Sequence, residues 1–239
     1  MKKFINSESA VSEAVSFILT LSIVIVSTAI VYFGGTPLLD KTEKNAHFQE
    51  MENSFLFLSE NIEKVGYDRA PIRTTELAIK GGSMTISHDS VITIGDDSYS
   101  LGSIEYIFED KTVAFENGGI WTKYPNGAVI IVSKPYFSTG SITTIPALEF
   151  SGEYWIAGEG IIRINAKTLS SSMNPVQAVN GTVPVMINSS YYKGWAEYLE
   201  DIGAKNITIY DANNTVSSNF TTESVNVDVT NMQIEIREG

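Results

Sequence analysis

The chain carries a long uncharged stretch close to its first residue. None of residues 14–39 has a charged side chain. At a rise of ~1.5 Å per residue, residues 14–33 reach ~30 Å, about the thickness of the hydrocarbon core of a bilayer. The sequence therefore predicts a membrane-spanning helix, and the rest of the chain has to be placed relative to it.

The flanking residues indicate an orientation for this helix. Lys2 and Lys3 precede it, and positive residues near a short terminus tend to stay cytoplasmic. A secretory signal has a shorter apolar core, roughly 7–15 residues, followed by a cleavage site. Here the sequence Gly-Gly-Thr-Pro follows at residues 34–37, which favours a break or kink in a helix. We expect the helix to be retained and the remaining residues to lie outside the cell.

Composition restricts the possible chemistry. The chain has no cysteine, which excludes disulfides, thiolate metal sites and a cysteine nucleophile. Lys2, Lys3, Glu8 and Glu13 cancel, so the formal net charge of −12 belongs to the outer part. Such a surface repels nucleic acid, which we do not expect as a partner.

Potential glycosylation sites are concentrated near the C-terminus. An acceptor sequence Asn-x-Ser/Thr is the mark of an exported, glycosylated surface. Asn213 lies beside Asn214 in a predicted turn, and we expect it to be the most accessible acceptor. The acceptors are Asn180, Asn188, Asn206, Asn213 and Asn219.

A second helical pattern follows the apolar stretch. Six apolar residues recur at steps of three and four, which places them on one helix face. We predict one long helix from about residue 10 to 65 that residues 34–37 could kink, ending near Gly66. The apolar face packs either on the sheet of its own domain or on helices of neighbouring subunits. It consists of Phe48, Met51, Phe55, Leu58, Ile62 and Val65.

From Pro71 onward the apolar period is two, which is typical of strands. Residues 75–79 and 83–86 flank Lys80-Gly81-Gly82, a hairpin signal, and Glu116-Asn117-Gly118-Gly119 is a predicted turn between two further strands. Many short strands with glycine-rich turns predict an antiparallel sandwich or curled sheet, and hence an α+β fold. We expect residues 128–132 to be a buried strand. The other predicted strands are 91–94, 104–108, 112–115, 120–123, 141–150, 160–166, 206–210, 215–219 and 225–236.

One short helix interrupts these strands. Ser189 and Ser190 could cap it, and Gly203 could end it. Its aromatic face either covers the sheet or forms a sugar-binding or adhesive surface. That face consists of Tyr191, Trp195, Tyr198, Leu199 and Ile202.

No set of residues predicts an active site. His47 and His88 have no partners at the spacing of a metal site or a catalytic triad, so we expect both to be exposed bystanders. Asp96, Asp97 and Asp211 offer oxygen ligands but lack the spacing of a calcium loop, and turn formation explains them. We expect no enzyme activity and no cofactor.

The leader carries a resemblance to a known family. Lys2-Lys3, the sequence Ala10-Val11-Ser12-Glu13 and the uninterrupted helix resemble the class III signal of archaeal type IV pilin-like proteins. The resemblance implies that a prepilin-peptidase-like protease cleaves between Ala10 and Val11 and leaves the helix on the mature subunit. Residues 116–121 and 191–198 also resemble segments of an uncharacterised group of archaeal pilin-like envelope proteins.

The same resemblance gives Glu13 a role in assembly. Cleavage after Ala10 makes Glu13 the third mature residue, whereas bacterial-type pilins favour a glutamate at the fifth. Cleavage after Glu8 would restore the fifth position but place a bulky acid where a small residue is usual. A carboxylate at the end of an apolar helix costs a few kcal/mol unless it is paired, and a neighbouring subunit's α-amino group is a natural partner. Alternatively, Glu13 lies in interfacial water.

The resemblance divides the chain into a leader (1–10), a transmembrane helix (11–35), an amphipathic extension (36–66) and an extracellular β-rich domain (67–239). It implies a structural or minor subunit of a surface filament, assembled through its helix with itself or other pilin-like subunits. The alternative is a single-pass anchored surface protein that binds a ligand or mediates adhesion. A membrane-tethered hydrolase would require a catalytic set that the sequence does not show. Burial of the residue 48–65 stripe within its own chain would remove it as evidence for assembly.

Overall fold

The computed structural model describes residues 6–67 and 70–238, with side chains from residue 12 onward. The chain divides into two compact units, Met1–Phe48 and Gln49–Gly239. A long helix, α1 (Asn6–Gly66), is followed by a mainly antiparallel sheet and one short helix, which confirms the α+β prediction. The elements after α1 are β1 (Ile72–Ile94), β2 (Asp97–Phe108), β3 (Lys111–Glu116), β4 (Gly119–Lys123), β5 (Val129–Ser133), β6 (Ile142–Ser151), β7 (Trp155–Gln177), β8 (Thr182–Asn188), α2 (Tyr192–Asp201), β9 (Lys205–Tyr210), a 3₁₀ turn (Asp211–Asn213), β10 (Thr215–Thr221) and β11 (Ser224–Glu238).

Helix α1 continues through the Gly-Gly-Thr-Pro segment, so this segment does not end it. Pro37 removes one backbone donor from the helix. The hydroxyl of Thr36 donates to the Tyr32 carbonyl at 2.9 Å one turn earlier. A single missing hydrogen bond inside a long apolar run is insufficient to stop the helix, which ends at Gly66 as predicted.

The C-terminal part of α1 is buried within its own unit. Two strands donate hydrogen bonds to it. Thr122 of β4 donates to Glu52 Oε1 at 2.6 Å, and Thr168 of β7 donates to the Val65 carbonyl at 2.7 Å. Burying each large apolar side chain contributes about 1.5–3 kcal/mol. The first alternative for the stripe is therefore confirmed, and the stripe gives no evidence for assembly. The stripe residues of this unit, each at most 1% exposed, are Met51, Phe55, Leu58, Ile62 and Val65.

The sheet has the strand order β5-β4-β3-β2-β1-β7-β11-β6. Strands β8, β10 and β9 form a branch, in which β8 pairs with β1, β10 with β8, and β9 with β10. The pairing of β11 with β6 is parallel, and the others are antiparallel.

The predicted hairpin at Lys80-Gly81-Gly82 is wrong, because β1 runs through it as one strand. Gly81 and Gly82 have φ angles of +91° and +77°. The β1–β7 register shifts between Lys80 and Ser83, so the two glycines form a β-bulge. The bulge brings the Gly81 carbonyl to the Tyr106 hydroxyl, which donates to it at 2.6 Å.

Two other strands differ from expectation. Strand β5 corresponds to the predicted buried strand but is partly exposed, with Ile130 at 52%, since it pairs with β4 at an edge of the sheet. Strand β8 was not predicted, although Val183, Val185 and Ile187 alternate as buried residues along it. Pro184 within β8 weakened the strand signal.

Helix α2 packs in the core, which confirms the structural alternative for its aromatic face. Tyr191, Trp195, Tyr198 and Leu199 are at most 2% exposed. The Ser189 hydroxyl accepts a hydrogen bond from the Tyr191 N–H at 3.0 Å before the first turn. Beyond the last turn, Gly203 has φ +86°, and the Ala204 N–H donates to the Leu199 carbonyl at 3.0 Å.

The bulge geometry predicts how much stability a substitution at Gly82 should cost. A Cβ at Gly82 would stand 2.5 Å from the Ile107 carbonyl oxygen, whereas a Cβ at Gly203 would meet nothing within 4 Å. Both positions have positive φ, which costs an alanine about 1–2 kcal/mol. Gly82→Ala should lose about 1–3 kcal/mol more than Gly203→Ala, because it also overpacks the sheet. Denaturant unfolding of the detergent-solubilised protein measures the difference, and equal losses would contradict the bulge geometry.

Candidate functional site: an exposed apolar helix and a buried carboxyl

The N-terminal unit presents the apolar segment 14–39 on all sides of α1. Within the described helix Ser12–Gly66, an 18-residue window has a mean hydropathy of 2.5 and none of it is buried, so this helix is long and apolar enough to cross a membrane. Phe17, Ile30 and Phe33 are 69%, 68% and 76% exposed. An apolar surface of this extent indicates contact with lipid or with another apolar surface.

Several hydroxyl groups of this segment are satisfied within the helix. Thr20, Ser22 and Thr28 each donate to the carbonyl four residues earlier, at 2.7–2.8 Å. In a bilayer, a polar group without a partner costs several kcal/mol. These internal hydrogen bonds therefore lower the cost of placing Thr20, Ser22 and Thr28 in hydrocarbon.

The predicted processing and assembly residues lie at the start of α1. Ala10 and Val11 belong to the helix, and their side chains are outside the described part of the chain. Glu13 is exposed and directly precedes the uncharged segment.

The predicted glycosylation sites all lie in the last third of the C-terminal unit. Asn180, Asn188, Asn206 and Asn213 are exposed, and Asn219 is half-buried in β10. Asn180 belongs to the turn before β8, and Asn213 to the 3₁₀ turn after β9. The predicted turn at Asn213 is confirmed.

A fully buried carboxyl lies at the centre of the C-terminal unit. Glu116 is 0% exposed and accepts three side-chain hydrogen bonds. Ser90 of β1 donates at 2.5 Å, and Ser189 and Trp195 Nε1 each donate at 2.7 Å. The Glu116 cluster, Ser90, Glu116, Ser189 and Trp195, therefore joins β1, β3 and the start of α2.

The surroundings of Glu116 favour its protonated form. Burial raises the pKa of the Glu116 carboxyl above its usual range, and the hydrogen bonds from Ser90, Trp195 and Ser189 lower it in part. The Glu105 carboxyl of β2 raises the pKa of Glu116 further and also raises that of the Tyr191 hydroxyl, for which burial is the larger cause.

The cluster brings together two segments that are distant along the chain, residues 116–121 and 191–198. The rings of Trp121 and Trp195 lie 4.8 Å apart between centroids. A Cβ at Gly119 or Gly194 would stand 2.6 or 2.8 Å from the Trp121 ring. Both glycines are therefore required by close packing.

The turn between β3 and β4 is also held in the core. Asn117 is 0% exposed, with φ +49°. Its side chain donates to the Pro146 carbonyl and accepts from the Leu148 N–H, both at 2.9 Å, which ties the turn to β6. The sequence pattern predicted the turn but missed the buried roles of Glu116 and Asn117, since their partners are distant along the chain.

The geometry of the Glu116 cluster favours a structural role over a catalytic one. A catalytic acid or base must reach its substrate, directly or through one water, and Glu116 is completely enclosed. Among the described residues, no group of three or more His, Asp or Glu side chains is arranged to hold a metal ion. The expectation that both histidines are exposed is wrong: His47 is 7% exposed, and the half-buried His88 forms a hydrogen bond to the Gly152 carbonyl at 2.7 Å.

Comparison with known proteins places the chain in a family. A family described as a family of unknown function (DUF7289) matches residues 10–235. No curated protein and no solved structure matches the chain. The matched range includes the apolar segment and nearly all of the C-terminal unit, so the two belong together in this family.

The raised pKa of Glu116 predicts a pH-dependent stability. The folded state holds this proton more tightly than the unfolded state, so the contribution is fully present below the ordinary Glu pKa of ~4.3 and is lost as the pH rises through the folded pKa. Glu116→Gln has no such proton. The free energy of unfolding of the wild-type protein should therefore fall relative to the variant with rising pH, by up to about 1.4 kcal/mol per pH unit.

The matched control is Glu197→Gln, which removes an exposed carboxylate from α2. Denaturant unfolding at a series of pH values compares both variants with the wild type. A constant difference between the wild type and Glu116→Gln at every pH would show that the buried carboxyl does not titrate between the two states.

Proposed function

The chain belongs to the DUF7289 family of unknown function, and we propose that it is a pilin-like structural or minor subunit of a surface filament. The single observation that carries this proposal is the continuity of α1 from Asn6 to Gly66. One helix is apolar and exposed over residues 14–39 and supplies the buried stripe of the C-terminal unit over residues 51–65.

The exposed apolar segment 14–39 suits two environments, first a bilayer and then a filament. As a monomer, the protein would hold residues 14–39 in the bilayer, where α1 satisfies its own backbone. In a filament, the same surface would pack against the helices of other subunits, so that protein replaces lipid. The C-terminal unit needs no contribution from a neighbour for its own core, since its stripe is covered within the chain.

Processing would separate the leader from this helix. In the proposal, a prepilin-peptidase-like protease cuts between Ala10 and Val11, and Glu13 pairs with the new α-amino group of a neighbouring subunit. The acidic C-terminal unit lies outside the cell, consistent with Lys2 and Lys3 on the other side of the span. It would act as a structural element and not as an enzyme.

One observation favours a second function. The stripe is buried within its own chain and offers no surface for assembly. A bilayer would be sufficient to cover the exposed apolar segment 14–39. The second candidate is therefore a single-pass surface protein that holds an adhesive or ligand-binding β domain outside the cell. Immunolabelling of purified filaments with an antibody to the C-terminal unit separates the two functions: labelling along or at the end of filaments supports the subunit, and unlabelled filaments support the anchored protein.

The proposal predicts a specific N-terminus. Ala10→Leu should leave membrane insertion intact, because the apolar segment is unchanged, but should prevent cleavage. Ser7→Leu introduces the same side chain three residues earlier and should be processed normally. Amino-terminal sequencing of the native protein should give a start at Val11. A start at Met1 or Lys2 would contradict the pilin-like function and favour the anchored protein.

A further inference from the structure

Strand β9 forms a free edge of the sheet branch. In the described sheet it pairs with β10 alone. Ile209 and Tyr210 of this strand are 46% and 47% exposed. An open edge with exposed apolar side chains is a template for pairing with another chain, and proteins protect such edges with charges, bulges or covering groups.

Two acceptor asparagines bracket this edge. Asn206 is the second residue of β9 and has φ +55°, and Asn213 ends the 3₁₀ turn that follows the strand. Both are exposed. Among the described residues, no hydrogen bond engages the side-chain amide of either one, so both Nδ2 atoms are available for modification.

Two other acceptors are held by the fold. The Nδ2 atom of Asn188 donates to the Asn213 carbonyl at 2.6 Å and to Thr215 Oγ1 at 2.9 Å. An N-linked sugar replaces one of the two Nδ2 hydrogens, so it would break one of these bonds. Asn219 is half-buried in β10, paired with Pro184 of β8 on one side and Lys205 of β9 on the other.

We propose that N-linked glycans at Asn206 and Asn213 cover the free edge of β9 and prevent it from pairing with another chain, while Asn188 and Asn219 remain unmodified. In the reaction, Nδ2 of each asparagine forms a bond to the anomeric carbon of a lipid-phosphate-linked oligosaccharide. The bond from that carbon to the phosphate oxygen breaks, the lipid phosphate leaves, and the amide loses one proton. This inference rests on the extracellular placement in the proposed function.

Glycans at these two positions would keep the β9 edge of the sheet branch on the solvent side of any assembly. A glycan is bulky and hydrated, so a neighbouring subunit cannot approach β9 closely. The surface formed by β9 and the turn after it therefore faces solvent, and contacts between subunits lie elsewhere.

Glycopeptide mass spectrometry of the full-length native protein tests the pattern of modification. We expect glycans at Asn206 and Asn213 and none at Asn188 or Asn219. Protease added to intact cells shows independently whether the C-terminal unit is outside. Bare Asn206 and Asn213 on an externally digested unit would overturn the glycan inference alone, whereas bare asparagines on a protected unit would contradict the extracellular placement as well.

A second experiment tests the role of the glycans. The Asn206→Gln, Asn213→Gln double variant should shift from the single-chain peak to larger species in size-exclusion chromatography with light scattering, performed in detergent. Asn180→Gln removes an acceptor from the β7–β8 turn and should keep the single-chain peak. Thr208→Ala removes the Asn206 acceptor sequence without changing Asn206, so the Thr208→Ala, Asn213→Gln variant should reproduce the shift. A single-chain peak for both double variants would overturn the protective role.

Discussion

The burial of the α1 stripe is the interaction on which the C-terminal unit depends. The stripe removes five large apolar side chains from water, and polar contacts along the helix tie it to separate strands. Asn61 donates to Thr75 of β1 at 3.1 Å, and Thr230 of β11 donates to the Gly66 carbonyl at 3.4 Å. This helix also carries the apolar segment 14–39, so the element that forms the core is continuous with a segment long and apolar enough to cross a membrane.

The Glu116 cluster is the second constraint. A buried polar group without hydrogen bonds costs several kcal/mol, so three donors must be in place around this carboxyl. Ser90, Ser189 and Trp195 meet that requirement only when β1, β3 and the start of α2 are assembled together. The cluster therefore disfavours other arrangements of these elements, and Gly119 and Gly194 admit the Trp121 ring beside it.

Local signals predicted much of the fold. Three predictions rest on residues that are neighbours in the sequence, and the structure agrees with all three. They are the long helix from the uncharged run, the buried helix face from the three-and-four spacing, and the turn at Asn117-Gly118. The Gly81-Gly82 pair suits a hairpin turn and a bulge equally, and pairing with β7 decides between them. The burial of Glu116 and the exposure of β5 likewise depend on contacts between distant parts of the chain, which a single sequence does not contain.

Cysteine labelling on intact cells tests the central claim most directly, because the chain has no cysteine of its own. A membrane-impermeant maleimide should label Glu197→Cys, which lies on the exposed side of α2. It should not label Val24→Cys, within the apolar segment, until a detergent opens the membrane. Equal labelling of both variants on intact cells, or labelling of Glu197→Cys only after the cells are broken, would contradict a helix that anchors an external domain.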